Sequence, residues 1–354
     1  TKLKSPLTSG PVMQALLNPG KLSPETAAFL TQRGLVKAYR KDPTGTITAV
    51  RAAAGTTPSR LDRHALIELC SDTAENLSGK DPGLAAAYHL AAAEIAFPIA
   101  MKSTPSPEDP FLIAYNHRTG RVSQILFDNK HDWSKASTLD GPGKSYRLRC
   151  KTTGKGFVSP TFFDEMVPSE YLEFTDIEID RIINPGVGGS LVGHRAGTAE
   201  RRKKNPFLPP TIGMSIPVNA ILDFSRNGSD VELAFRDALV EDTARVAGRE
   251  LPLAADLTAP MVSLFKFQTV KNMGLKALMH PDEYVKQMGL LQLEPYRSDQ
   301  IPVVFVHGLM SSPATWVNAL NKMRADPVIR DNYQLFAFRY PCLLYTSDAA
   351  DEYQ

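Results

Sequence analysis

The stretch IPVVFVHGLMSSPATW, residues 301–316, constrains the fold more than any other part of the chain. Residues 302–306 form an unbroken apolar run, the pattern of a strand buried on both faces. Proline is tolerated at the first position of such a strand. His307-Gly308 ends the run, and LMSSP follows as a short loop. Ser312 and Pro313 have the residue types of a helix N-cap and first helical position. Trp316, Val317, Leu320 and Met323 recur at helical spacing and form the inner face of that helix, which Asp326-Pro327 stops. Residues 333–340 are strand-like again. Before the unit, GLLQL reads as another strand, separated from 301 by the polar segment 296–300. The last three elements make a β-loop-α-β unit, in which a parallel crossover is right-handed.

The remainder is long enough for further domains: the chain has 354 residues, 43% of them apolar and 22% charged, a globular balance. A net charge of +2 lacks the concentrated basic surface of a nucleic-acid binder. Cys70, Cys150 and Cys342 are too scattered for a metal cluster or a disulfide framework. The most apolar long segment, GLAAAYHLAAAEIAFPIAM at 83–101, carries His89, Glu94 and Pro98 and reads as a packed helix rather than a membrane span.

Residues 1–21 are expected to be a loose N-terminal segment. Residues 22–101 read as a helical subdomain, opening with Ser23 as N-cap and Pro24 at the first helical position. Lys-Asp-Pro occurs at 41–43 and again at 80–82, consistent with a degenerate repeat of helical hairpins or a plain helical subdomain. Residues 102–143, with SPEDP and GPGK, read as a loop-rich linker. Residues 144–288 read as mainly β with a helical end at 271–289. YRLRC, YLEFTDIEID and SIPVNAILDF are strand-like. AILDFSRNGSDVELAF predicts a hairpin turning at Asn227-Gly228, and a second hairpin is expected around Gly248. The fold class expected is an α+β N-terminal region, helical and then mostly antiparallel β, followed by the start of a parallel α/β domain at 289–341.

An apolar strand ending in His-Gly, then an apolar residue, a small-residue loop and a proline-started helix carrying tryptophan, resembles the α/β-hydrolases of the lipase and esterase branch. The longer run EPYRSDQIPVVFVHGLMSSPATW with YQLFAFRYP is similar to a narrower bacterial group of esterase/lipase-like hydrolases with a long N-terminal extension. NPFLPPTIGMSIPVNAILDF and RELPLAADLTAPM are similar to that extension. The resemblance covers about 22–341, and the part with known chemistry is 289–341.

It implies a serine hydrolase that forms an acyl-enzyme, with a small-molecule or lipid ester as substrate and no cofactor. The members are often exported or lipid-anchored, which implies an envelope location and membrane-surface association for the parent protein. By the resemblance, Leu309 supplies an oxyanion-hole N–H, with Met310 the adjacent alternative. His307 and Gly308 shape the loop, the glycine allowing a sharp turn. His307 precedes every triad position in the order Ser, Asp/Glu, His and is read as a structural histidine. The Ser-Asp/Glu-His triad is expected beyond Pro341. A non-catalytic binding protein with a degenerate hydrolase fold, or a thioesterase or peptidase on the same fold, are the alternatives. A serine in a nucleophile elbow discriminates the first of these.

Residues 342–352, CLLYTSDAADE, resemble one translated reading frame of a transposase-based sequencing adaptor. Residues 342–354 are therefore expected to be a non-native tail, and the domain before them incomplete. Such a chain is expected to be inactive, to expose an apolar sheet edge and to be poorly soluble. Two other motifs read as structural. GVGGSLVG at 186–193 fits neither the elbow nor a phosphate loop and reads as a glycine turn before a strand. RRKK at 201–204 reads as a solvated polar loop, and Trp133 as a surface-loop anchor.

Overall fold

The computed structural model describes residues 22–340 except 103, 152–155, 173–178, 211, 267–288, 309–310 and 312. The first element, α1 (Pro24–Gln32), starts as its sequence requires: the Ser23 hydroxyl accepts the Thr26 N–H at 3.2 Å. Next come α2 (Val36–Lys41), α3 (Pro43–Ala54), α4 (Arg60–Leu77), α5 (Pro82–Ala100) and α6 (Pro110–Asp128). Aspartate followed by proline opens α3, α5 and α6. Each carboxylate accepts a first-turn N–H at 2.9 Å, from Gly45, Leu84 and Phe111. The proline supplies a φ suited to the helix and lacks an N–H that would otherwise need a partner. The two Lys-Asp-Pro motifs are thus the same local device.

Helix α6 corrects the reading of 102–143 as loop-rich. The proline-bearing SPEDP segment is not a linker but the start of a 19-residue helix. Its apolar face is broken by Asn116, His117, Arg118 and Arg121, so a simple apolar stripe is hard to see. Helix α5 lies between α4 and α6. Its alanine faces let both neighbours approach closely, and it is buried on all sides. It is long and apolar enough to cross a membrane, yet here it is the central core helix. Its one carboxylate, Glu94, is met by Arg51, by Lys144 at 2.7 Å and by the Tyr146 hydroxyl at 3.0 Å.

The strands follow: β1 (Ser137–Gly141), β2 (Lys144–Cys150), β3 (Glu165–Pro168), β4 (Ile183–Asn184), β5 (Gly189–Arg195), then a short helix α7 (Ala199–Lys204), β6 (Met214–Asp223), β7 (Asp230–Asp237), β8 (Thr243–Val246), β9 (Arg249–Pro252) and β10 (Ala255–Asp256). Six of them form one mixed sheet in the order β1-β2-β7-β6-β5-β3. Neighbours are antiparallel except β2 and β7, which run parallel. The β6–β7 hairpin turns at the expected place. Only Gly228 takes a positive φ, of 69°, while the Asn227 carboxamide accepts the Ser229 and Asp230 N–H groups. The β8–β9 hairpin turns at Ala247-Gly248, both with positive φ. RRKK is helical, in α7, and not the loop its charge suggested: Thr198 caps it, and Arg201 pairs with Asp164 across the chain. The strand expected at 171–180 and the helix at 271–289 fall largely outside the described residues.

The last elements are α8 (Ala259–Lys266), β11 (Gly289–Gln292), β12 (Ile301–Val306), α9 (Val317–Ala325), α10 (Pro327–Asn332) and β13 (Tyr333–Arg339). A second sheet has the order β11-β13-β12. β12 and β13 are parallel, paired from Ile301↔Tyr333 to Val306↔Phe338, and β11 is antiparallel to β13.

Strand β5 joins the layers. Its side chains alternate across the sheet. Leu191 packs into the core under the helices, and Val192 packs on the opposite side with Met261 and Val262 of α8 and Val317 and Leu320 of α9. Residues 289–340 therefore share a core with the β region. Asn321 of α9 ties in further, donating to the Asp180 carbonyl at 2.9 Å and accepting from the Thr258 hydroxyl at 2.9 Å.

One expectation fails in this unit. β12 is not buried on both faces: among the described residues it is an edge strand, and Val304 and Val306 are 47% and 51% exposed. Only the opposite face, Val303 and Phe305, packs against α9 and Trp316. An apolar run specifies a strand, but whether its second face is covered depends on neighbours the run itself does not encode.

Candidate functional site

The loop after β12 stands at the carboxyl ends of two parallel strands, β12 and β13. In open parallel sheets that edge is where ligands bind, because loops and backbone donors converge there. The short apolar strand delivers His307 into the structure, where it is 3% exposed. Its Nδ1 lies 3.2 Å from the Gly308 carbonyl. The Tyr340 ring, just beyond the end of β13, stacks on the imidazole with centroids 4.6 Å apart, and its hydroxyl donates to the His307 carbonyl at 2.8 Å. The Ser311 N–H closes the loop on the Gly308 carbonyl at 3.3 Å. Residues 313–316 make one 3-10 turn that leads into α9, and Trp316 leans on Phe305.

Of the expected site residues, His307 and Gly308 are in this loop, whereas Leu309 and Met310 lie outside the described residues. His307 is held by backbone and ring contacts. Gly308 differs from expectation: its φ is not in the left-handed region, so the turn itself does not demand glycine. Among the described residues, a Cβ added there would meet nothing within 4 Å. No G-x-S-x-G occurs in the chain, and no serine, acid and base of the triad type are assigned here.

A second cluster has no counterpart in the sequence reading. Glu75 of α4 accepts from Nε and Nη2 of Arg121 of α6, at 3.1 and 2.8 Å. Arg118, also of α6 and 1% exposed, lies 3.6 Å from the same carboxylate, as does His89 of α5 at 3.5 Å. One residue before Arg118, the His117 Nε2 lies 3.0 Å from Glu170 and 3.2 Å from the Tyr171 hydroxyl. Burial, reinforced by Arg118 and Arg121, holds both histidines well below their ordinary range, so they are neutral at pH 7. Burial pushes the Glu170 carboxyl up to about 7, against the pull of the same two arginines. Sequence spacing tests for metals passed over these histidines. The cluster draws on α4, α5, α6 and the turn at 169–171, and no local pattern links them. Among the described residues no group of histidine, cysteine, aspartate or glutamate side chains has the arrangement of a metal site.

No family model, curated protein or solved structure matches the chain.

Proposed function

We propose that the chain carries the oxyanion-loop end of a serine hydrolase acting on a small-molecule or lipid ester, and that loop 307–310 serves acyl transfer. The observation that carries this reading is the parallel β12–β13 pair, with the His307-Gly308 loop at its carboxyl edge. Acyl transfer builds negative charge on the former carbonyl oxygen. A backbone N–H already aimed at that point stabilises the charge without reorganising, and losing one such donor costs ~2.7–4 kcal/mol of barrier. In this reading the donor is the N–H of Leu309, or of Met310 beside it. Tyr340 acts on the loop from behind by fixing the His307 peptide. A serine activated by histidine, itself oriented by a carboxylate, would attack the ester carbonyl and form the acyl-enzyme. That triad is not assigned within these 354 residues.

The test is to read the source gene past the codon for Pro341 and to expose its product, alongside the 354-residue chain, to a fluorophosphonate probe. Labelling of a G-x-S-x-G serine in the longer product, and none in the 354-residue chain, is the expected result. A longer product without such a serine, or one that resists labelling while folded, refutes the hydrolase reading.

A further inference from the structure

Where β5 ends and α7 begins, Arg195 and α7 share the wall of an open cleft of about 610 Å³ with Gln292, Pro295 and Tyr296. Sites for small organic molecules commonly have ~300–1,000 Å³. The two parts of the wall are tied to each other. The Gln292 N–H donates to the Phe207 carbonyl at 3.0 Å, and the Asn205 carboxamide donates to that of Gln292 at 2.8 Å. The cleft thus keeps its shape without a ligand.

Its charge is one-sided. Residues 195–207 carry five cations and one carboxylate, although the whole chain has a net charge of only +2. Three of these cations, Arg195, Arg201 and Lys204, line the cleft together with Glu200. Arg201 is spent on Asp164, donating from Nη2 at 2.8 Å. The other two are not spent. Arg195 lies over the Phe162 ring at 4.1 Å and donates one N–H to the Phe162 carbonyl, but no carboxylate pairs with it among the described residues. Burial and the neighbouring Arg201 hold its guanidinium below the ordinary value, against the pull of Asp164, so positive charge exceeds negative at this point. Lys204 is exposed and has no hydrogen-bond or ion-pair partner among the described residues, although Glu200 stands one turn before it.

The uncharged polar groups of the wall are occupied. Thr198 caps α7, Asn205 and Gln292 hold each other, and the Gln292 amide also donates to the Glu294 carbonyl at 2.6 Å. The apolar part consists of the buried Leu208 and Met214 and of the Tyr296 ring, which is 68% exposed. A ring left this open has a free face on which a ligand can stack.

We propose that this cleft binds a small organic anion, a carboxylate or phosphate group on an apolar ring or short chain. Arg195 and Lys204 meet the anionic oxygens, and the apolar body lies against Tyr296 and Met214. Guanidinium and ammonium both form charge-assisted hydrogen bonds to such oxygens, and neither offers an acceptor. A cation is repelled, and a neutral analogue leaves both charges uncompensated. The site uses residues 162–214 and 292–296 and none of loop 307–310, so this proposal and the hydrolase reading stand or fall separately.

The test is titration of the 354-residue chain at about pH 7 with benzoate, phenyl phosphate, inorganic phosphate, benzyl alcohol and benzylamine, followed by methionine-methyl NMR. Benzoate and phenyl phosphate are expected to saturate one site and to shift the Met214 methyl resonance. Inorganic phosphate, benzyl alcohol and benzylamine are each expected to bind about threefold more weakly or worse. Lys204→Gln, at an exposed position, should keep the fold and weaken benzoate binding about threefold or more, whereas Lys204→Arg should retain it. Absence of saturable binding of either organic anion, binding that leaves Met214 unmoved, inorganic phosphate binding as tightly as phenyl phosphate, or wild-type affinity in Lys204→Gln each overturns the proposal. Co-sedimentation with phosphatidylglycerol vesicles in place of small-anion binding would make the patch a membrane contact and overturn it as well.

Discussion

The Tyr340 hydroxyl donates to the His307 carbonyl at 2.8 Å while its ring stacks on the His307 imidazole, so the carboxyl ends of β12 and β13 are tied by one side chain. Tyr340→Phe keeps the stack and removes the donor. A net loss of ~1 kcal/mol is expected, the value of a typical hydrogen bond. Urea denaturation measures the loss, and faster amide exchange at His307 and Gly308 would locate it in the loop. An unchanged exchange rate there would show that the loop does not depend on Tyr340.

The β12–β13 unit is anchored to the rest of the protein through charge as well as packing. Arg324 of α9, 2% exposed, lies 2.7 Å from the buried Glu294 carboxylate and also reaches the Ser215 carbonyl at 3.5 Å. Arg324→Met leaves Glu294 buried and unpaired, and should destabilise by ~3–5 kcal/mol. Arg324→Met combined with Glu294→Gln should recover a large part of that loss. Chemical denaturation of the two variants compares them directly, and equal losses would contradict the ion-pair explanation.

Asp237 makes a prediction about pH. Burial pushes its carboxyl from an ordinary 3.8 up to about 6, against the Leu239 N–H that donates to it at 2.8 Å. The folded state therefore holds its proton more tightly than the unfolded one. The associated stability is present below about pH 3.8 and is lost as pH rises through about 6. That gap corresponds to ~3 kcal/mol at most. Asp237→Asn keeps an acceptor for Leu239 and removes the ionisation. It should raise stability at pH 8 by ~1–3 kcal/mol and flatten the profile between pH 4 and 6. Denaturation across that range checks it, and a variant less stable than wild type at pH 8 would reject the argument.

The open face of β12 predicts self-association. Val304 and Val306 present an apolar row on an edge strand, the arrangement that templates pairing with another chain. Replacing both with lysine should raise the solubility limit several-fold while shifting the thermal midpoint little, since neither side chain is buried. Sedimentation velocity over a concentration series reads the first effect and thermal denaturation the second. A large fall in the midpoint would mean that the face is covered in the folded protein.

Much of the local structure was legible. Ser23-Pro24, Asp42-Pro43 and Asp81-Pro82 start helices because side-chain acceptor and proline suit the first turn wherever they occur. Asn227-Gly228 and Gly248 turn hairpins because the glycine can take a positive φ. The run at 301–306 is a strand, and the helix and strand after it follow in the expected order. The loop at His307-Gly308 was found through its residues, although the reason offered for Gly308 was not the one its backbone gives. Helix α6 was missed because its inward face carries Asn116, His117, Arg118 and Arg121. A polar residue contributes to a core only when partners arrive to meet it, and those partners are Glu75, His89, Glu170 and Gly186.

Sequence alone determined where helices and strands begin and turn, because caps, prolines, glycines and apolar period act over a few residues. The tertiary structure alone decided which faces are covered. It left β12 open on one side, put α6 against the sheet, and gathered the buried His89, His117 and Arg118 with the half-buried Glu75, Arg121 and Glu170 into one cluster. Burial and pairing of charge depend on groups far apart in the chain, and the free energy of a buried ion is set by neighbours that only folding supplies.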